Sequence, residues 1–455
     1  MGKEFSIVPQ PGPRIETKYR RILTPLPHPD SVPVLEKLRR FEPQSMRGQP
    51  PLVWDRAEGF QDYDKYGNMW LDWSSGVLVA NAGHGAPEIR QAIIDQVNSG
   101  LLHNYVFPSE VRARLVECLA KLAPKGLNKV FLLTTGSEAT ECALKLARAN
   151  GLRLGGPQKI GIVGFARGFH GRTLGAQQAG GIPGQKAWII NEDPDIVTVP
   201  FPDGFWTPDT RFEVFLAALK DKGLEPNNVA GVIMETYQGV GPDFAPVNYV
   251  RALAEWCRAH DVVLAFDEVQ AGFGRTGKFW AFEHYGVSPD VICCGKGISS
   301  SLPLSAVIGR PDIMDQFPPG SMTSTHTGNP VCAAAALASL RKIANEDLAG
   351  NAARLGEPLL AGLLAIQKRH PAVVGHVTAR GLVAGLQITK PDLKEPNPDL
   401  AHAIIDRCFH RGLLFFAPVG AWGQTVKIAP PLTITRDALD EGLAVLASAV
   451  DHCAW

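Results

Sequence analysis

The chain has 455 residues, 45 basic against 45 acidic, and a formal net charge of zero, so no overall field draws it to DNA, RNA or an anionic membrane. Hydrophobic residues at 45% and charged residues at 20% place it among folded soluble chains, away from the disordered and membrane classes. That length leaves room for two or three packed units. Eight cysteines without a Cys-x-x-Cys pair are too sparse for a disulfide scaffold and read as buried thiols in a reducing compartment. With no long apolar stretch at the start or later, the cytosol is the expected location. Gly2 and Ser6 satisfy an N-acylation pattern, one so short that it arises often by chance.

In chain order, the first fifty residues are rich in proline and arginine and show little periodicity. WDRAEGFQDYDKYGNMWLDW, from Trp54, alternates like a strand hairpin turned at Lys65 to Asn68. From about Asn81, short apolar runs separated by amphipathic stretches predict a mostly parallel sheet covered by helices. Strands are expected at VFLLT from Val130, KIGIVGF from Lys159, AGVIME from Ala230, VVLAFDE from Val262, DVICC from Asp290 and LSAVIG from Leu304. SEATECALKLARAN predicts a helix with Ser137 as its cap. An alanine-rich helix begins near Pro330. From about Gly350 the texture shifts to helices with short strands around GLVAGLQI, GLLFF and TVKIAPPLTI, a smaller α+β unit. No repeat of solenoid length occurs.

DEVQAGFGRTGKF, from Asp267, admits several readings. Gly272, Gly274 and Gly277 satisfy the dinucleotide fingerprint, but several residues separate them from the strand and no clear helix follows. A phosphate-loop reading fails at Phe279, which stands where a magnesium-binding hydroxyl belongs. The plain reading is a glycine-rich surface turn. The same strand end carries Asp267, and the next strand delivers Lys296 between two glycines. Burying an ammonium is costly, and a lysine that forms an imine escapes that cost. Gly136 and Ser137 lie between a strand and a helix N-terminus, where free N–H groups accept an anion such as phosphate. Phe169 in GFHGRT offers a flat ring for stacking. Singly, each has a plainer account: a solvated lysine, a common cap, core packing. In this order they are what pyridoxal phosphate requires.

LDWSSGVLVANAGHGAPEI, TTGSEATECALKLAR, GFHGRT, IMETYQGVG, LAFDEVQAGFGRTGKFWAFEHYGVSPDVICCGKGISS and THTGNPVCAAAALASL resemble, in order, the blocks of the class III aminotransferases. These are fold-type-I pyridoxal-phosphate enzymes that include 4-aminobutyrate and ornithine aminotransferases. The resemblance implies an α/β fold with a large cofactor domain over 81–335, built on a mostly parallel seven-stranded sheet between helices. It implies a smaller α+β domain over 336–455, to which the N-terminal segment 1–80 contributes. Lys296 would form the aldimine and carry the proton, and Asp267 would face the pyridine nitrogen. Val269 and Gln270 would contact the ring and its phenolic oxygen, Gly136 and Ser137 the phosphate, with Phe169, His170 and Glu235 around the ring. Thr325 would complete the phosphate site of a neighbouring subunit, which implies a homodimer, with a tetramer left open. Arg172 matches an arginine for a distal carboxylate. Lys427 and Val240 stand where 4-aminobutyrate relatives carry an arginine and a glutamate, and Val77 joins them on the substrate side. The implied activity moves an amino group from an amine or amino acid to a keto acid, without a metal, nucleic acid or membrane partner. A racemase or epimerase is the alternative, and a dialkylglycine-type decarboxylase a further one.

Overall fold

The computed structural model describes residues 3–391 and 394–454, so Gly2 of the acylation pattern lies outside the described residues. There are two compact units, one of residues 1–86 with 350–455 and a larger one of residues 87–349. A cut after 335 would fall inside the helix Pro330–Asn345, which is continuous and belongs to the larger unit. The boundary lies instead at the texture change near Gly350.

The larger unit is built on seven strands: β1 (Lys129–Leu133), β2 (Gly161–Phe165), β3 (Ile196–Val199), β4 (Val229–Glu235), β5 (Val263–Asp267), β6 (Val291–Cys294) and β7 (Ser305–Gly309). Their spatial order is β1-β7-β6-β5-β4-β2-β3, and β7 alone runs antiparallel to its neighbours. Every residue of β2, β4, β5, β6 and β7 is buried, as expected for strands covered on both faces. Strand β3 was absent from the sequence expectation. It has four residues, mostly half-exposed, at the sheet edge, so its apolar signal is weak.

Between β1 and β2 runs α1 (Gly136–Gly155). Its cap is Thr135, not Ser137. The Thr135 side chain accepts from Glu138 N, and Glu138 Oε2 accepts from Thr135 N at 2.8 Å and Thr134 N at 2.9 Å. Thr-x-x-Glu is a capping box, which satisfies donors reciprocally and leaves Ser137 inside the first turn. Ala139, Ala143, Leu146 and Ala147 of α1 pack with Ile162, Ile233, Val263 and Cys293 of the sheet. The alanines let the helix lie close, and each larger aliphatic side chain buried there contributes about 1.5–3 kcal/mol. All eight cysteines are free.

The smaller unit has one six-stranded sheet, assembled mainly from the N-terminal segment and joined by Leu413–Leu414 beside Met69–Asp72. Within it Gln61–Tyr63 pairs antiparallel with Met69–Asp72 across the turn at 64–68. A second, three-stranded sheet comprises Val374–Arg380, Val383–Ile388 and Thr425–Ile428. The Trp70 ring stacks on Phe409 and its Nε1 donates to Phe409 O at 2.9 Å, tying the two ends of the chain together.

Candidate active site

Parallel strands bring their carboxyl ends to one edge, and charged residues that end apolar runs gather there. Asp267, last in β5, lies opposite Glu235, last in β4. Asp267 Oδ2 is 2.8 Å from His170 Nδ1, and Oδ1 accepts from Val269 N at 3.0 Å. Glu235 Oε2 accepts from Phe169 N at 2.9 Å, and Oε1 from Gly239 N at 2.7 Å. Glu235 thus pins two loops, that after β2 and that after β4. Asp267, Glu235 and His170 are all buried. Burial pushes the Glu235 carboxyl up to about 7, the His170 charge opposing and the Asp267 charge adding. For His170, burial favours the neutral ring, but the hydrogen bond and charge of Asp267, with Glu235, outweigh it and raise the pKa.

Lys296 follows β6 as the first residue of a single helical turn, at φ 44°. A left-handed lysine is strained by about 1–2 kcal/mol, and such strain clusters at functional positions. The residue is half-buried, and burial lowers its pKa against the pull of Asp267 and Glu235. Among the described residues its amine has no hydrogen-bond or ion-pair partner. A solvated strand-end lysine, the plainer reading, would show no such shift.

At the N-terminus of α1 the capping box engages the amides of Thr134, Thr135 and Glu138. Those of Gly136 and Ser137 have no acceptor within the helix and are the donors left for an anion. A Cβ on Gly136 would stand 2.7 Å from Val269 Cγ1, so this helix end presses against the residue two beyond Asp267. The loop after β2 closes on it as well, since Ser137 Oγ accepts from Arg172 N at 3.2 Å. Gly171, at φ +128°, would place a Cβ 2.2 Å from Ser137 Oγ. Gly171→Ala is therefore expected to destabilise the protein by roughly 2–4 kcal/mol, from left-handed strain and overpacking together, and to weaken cofactor retention. Thermal melting and a pyridoxal-phosphate titration check this, and a variant that matches the native protein in both refutes it.

The other expected site residues are more dispersed. Phe169 is half-buried, with the exposed Arg172 guanidinium 5.6 Å from its ring centroid. Val269 is buried, and Gln270 lies against Gly239, where a Cβ would come 2.1 Å from Gln270 Nε2. Val240 is half-buried in the turn after β4, and Thr325 is exposed. In the smaller unit, Lys427 is buried in Thr425–Ile428, its amine 6.0 Å from the Phe416 ring centroid. Val77, also there, is exposed at φ 64° within the left-handed run Ser75–Leu78, an outlier for a β-branched residue.

GFGRTGK is not a surface turn. Residues 271–276 are buried, Arg275 wholly so, and Phe273 lies 5.0 Å from the Trp280 ring. Two neighbours of the site escaped the sequence reading. Glu268, buried beside Asp267, accepts from Ala281 N and Phe282 N, each at 2.9 Å, and burial pushes it up to about 7. Ser305 Oγ donates to Thr135 O at 2.7 Å and so holds the start of α1. The Asp-Glu pair ending an apolar strand was a usable signal for Glu268; nothing in the sequence marked Ser305.

Among the described residues no helix is long and apolar enough to cross a membrane. The sequence pattern of the class-III aminotransferases matches residues 44–450. A 4-aminobutyrate aminotransferase of Mycobacterium leprae is 31% identical over 94% of this chain and 97% of its own length. An isoleucine 2-epimerase of Lentilactobacillus buchneri is 34% identical over 88% of this chain and 89% of its own. In three dimensions, a PLP-bound amine transaminase from an uncultivated Pseudomonas species superposes with a TM-score of 0.81 at 28% identity, over 88% of this chain and 95% of that one. A partnerless amine beside two carboxylates, and a helix end with two free amides that close glycine contacts leave open, fit pyridoxal phosphate, the cofactor of that family. With its fold and nearly its whole length matched, this chain belongs to the class III aminotransferases, pyridoxal-phosphate-dependent enzymes of fold type I.

Proposed function

We propose that this enzyme transfers an amino group between an amine or amino acid and a keto acid, with Lys296 as the lysine that binds the cofactor and moves the substrate proton. The observation that carries the reading is the convergence of a partnerless Lys296 amine with Asp267, Glu235 and His170 at one sheet edge. Bound pyridoxal phosphate supplies an aldehyde for the incoming amine and a ring that withdraws electrons. Asp267, oriented by His170 and the Val269 amide, would present its carboxylate to the ring nitrogen. Gly136 and Ser137 would donate amides to the phosphate, and Phe169, Val269 and Gln270 would hold the ring. Burial lowers the Lys296 pKa, which makes its amine easier to deprotonate and so better suited to take and return a proton than a solvated lysine.

On the substrate side, Arg172 is the carboxylate partner nearest the ring residues by sequence, while Lys427 offers a point charge in place of a bidentate fork. That weakens the case for glutamate as donor, and the similarity to an epimerase keeps inversion as the second reading. Incubation with candidate amines, without keto acid, in deuterated solvent separates the two. One keto product per bound cofactor supports transfer; an inverted substrate carrying deuterium at its α-carbon replaces it by racemisation.

Exposed Thr325 suits a role in the phosphate site of a second subunit, and a cytoplasmic homodimer completes the reading. Specific activity is expected to fall on dilution as the dimer dissociates, followed alongside sedimentation. A monomer of full activity would remove Thr325 from the site.

A further inference from the structure

The hairpin of the smaller unit holds a second cluster of ionisable groups. Asp62 is central in Gln61–Tyr63, and Asp72 ends the paired strand Met69–Asp72. His84 is brought alongside by the bridge between Gly59 and His84, whose amides and carbonyls exchange bonds of 2.9 and 2.7 Å. Both aspartates are 0% exposed.

Asp72 Oδ1 is occupied by Ser74 N at 2.6 Å and Ser74 Oγ at 2.7 Å, which turns Oδ2 toward His84 Nε2, 2.7 Å away. Asp62 has no such support. Neither of its oxygens has a hydrogen-bond partner among the described residues, and Oδ1 faces His84 Nε2 from 3.8 Å. One imidazole nitrogen can make a close hydrogen bond to only one of the two buried acids, and Asp72 takes it, which leaves the Asp62 oxygens without one. A carboxyl group buried without a hydrogen bond costs free energy whether it is ionised or protonated.

We propose that Asp62, Asp72 and His84 form a binding site for a divalent transition-metal ion of the zinc class. One oxygen from each aspartate and His84 Nε2 all lie within 4.8 Å of one another. Metal–ligand distances of about 2.0–2.2 Å put neighbouring ligands roughly 3–4 Å apart, so shifts below about 1 Å close the site. Two carboxylates and an imidazole suit zinc, manganese or cobalt, and the dication neutralises both acids at once. The Ser74 bonds to Asp72 are the outer contacts that hold a ligand in place. The ion would tether Gly59–Asp62 to residues 72–84, the segment that contains the left-handed Ser75–Leu78 run and Val77.

The test uses the pyridoxal-phosphate holoenzyme, stripped with EDTA, desalted, loaded with Co²⁺ and desalted again. One cobalt per chain is expected by elemental analysis, with d–d absorption to the red of the cofactor bands. Asp62→Asn and His84→Ala should lose that cobalt, and Zn²⁺ should raise the thermal midpoint of the native protein but not of Asp62→Asn. A native protein that retains no cobalt overturns the proposal whatever the variants do. Equal retention by native protein and Asp62→Asn overturns it too, because the ion then sits elsewhere.

Discussion

Lys296→Met is expected to lower kcat by about 10⁴-fold or more, because one side chain is both the covalent partner of the cofactor and the group that moves the proton. The folded protein should not suffer. Both residues occupy the same left-handed position at φ 44°, so backbone strain is unchanged, and methionine fills similar volume without an amine that lacks a partner. Cofactor-free Lys296→Met should therefore melt above cofactor-free native protein. Burial depresses the lysine pKa, so the folded state releases its proton at lower pH than the unfolded chain does. Between that depressed value and the unfolded value of about 10.4, the unfolded state binds more protons and native stability rises with pH. The advantage of methionine should accordingly be largest below the depressed pKa and fade as pH climbs toward about 10.4. Steady-state rates and melting curves over that range check both parts. A variant with more than about 1% of native kcat removes Lys296 from the chemistry, and one that melts lower at every pH means that the amine has a stabilising partner.

How far these residues could be read beforehand follows from where each sits. Strands buried on both faces leave long apolar runs, and a charge that ends such a run stands out, which is why Asp267 and Lys296 were visible. Strand β3 at the edge, half-exposed, left no such run. The start of α1 was visible but its cap was not: Thr135 and Ser137 both have capping chemistry, and only the reach of Glu138 decides between them. The composition of GFGRTGK suggests solvent, yet Arg275 is wholly buried, because tertiary packing and not local polarity sets its place. Gly171 shows its role only through a positive φ and a close approach to Ser137. Asp62 stands between Gln61 and Tyr63 in a polar stretch that reads as exposed, and its burial follows from tertiary packing that the local pattern does not carry.

Asp267→Asn is the second substitution with a large expected effect, and its value lies in changing charge while nearly keeping shape. The asparagine oxygen can still accept from Val269 N, as Oδ1 now does at 3.0 Å. What disappears is a unit negative charge. Two unit charges about 4 Å apart at an effective dielectric near 20 interact by roughly 4 kcal/mol, and about 1.4 kcal/mol corresponds to a factor of ten. A fall in kcat of about 10³-fold follows, with little change in KM for an amine that does not touch Asp267. The variant also leaves a mark that activity alone would not give. In the native protein His170 has a raised pKa, burial opposing and Asp267 dominating. Its stabilising contribution is therefore complete below the unfolded value of about 6.5 and is lost as pH rises through the folded value. Glu235, at about 7 from burial and partly from the charge of Asp267, changes stability in the same direction. Without that charge only Glu235 still opposes burial, so the His170 pKa falls and the stability it contributes at low pH shrinks. Native protein should lose stability relative to Asp267→Asn as pH rises above about 6.5, and the difference curve of thermal midpoints measures it. A flat difference curve would mean that His170 does not answer to Asp267, and a kcat within tenfold of native would mean that the carboxylate charge is not what the reaction uses.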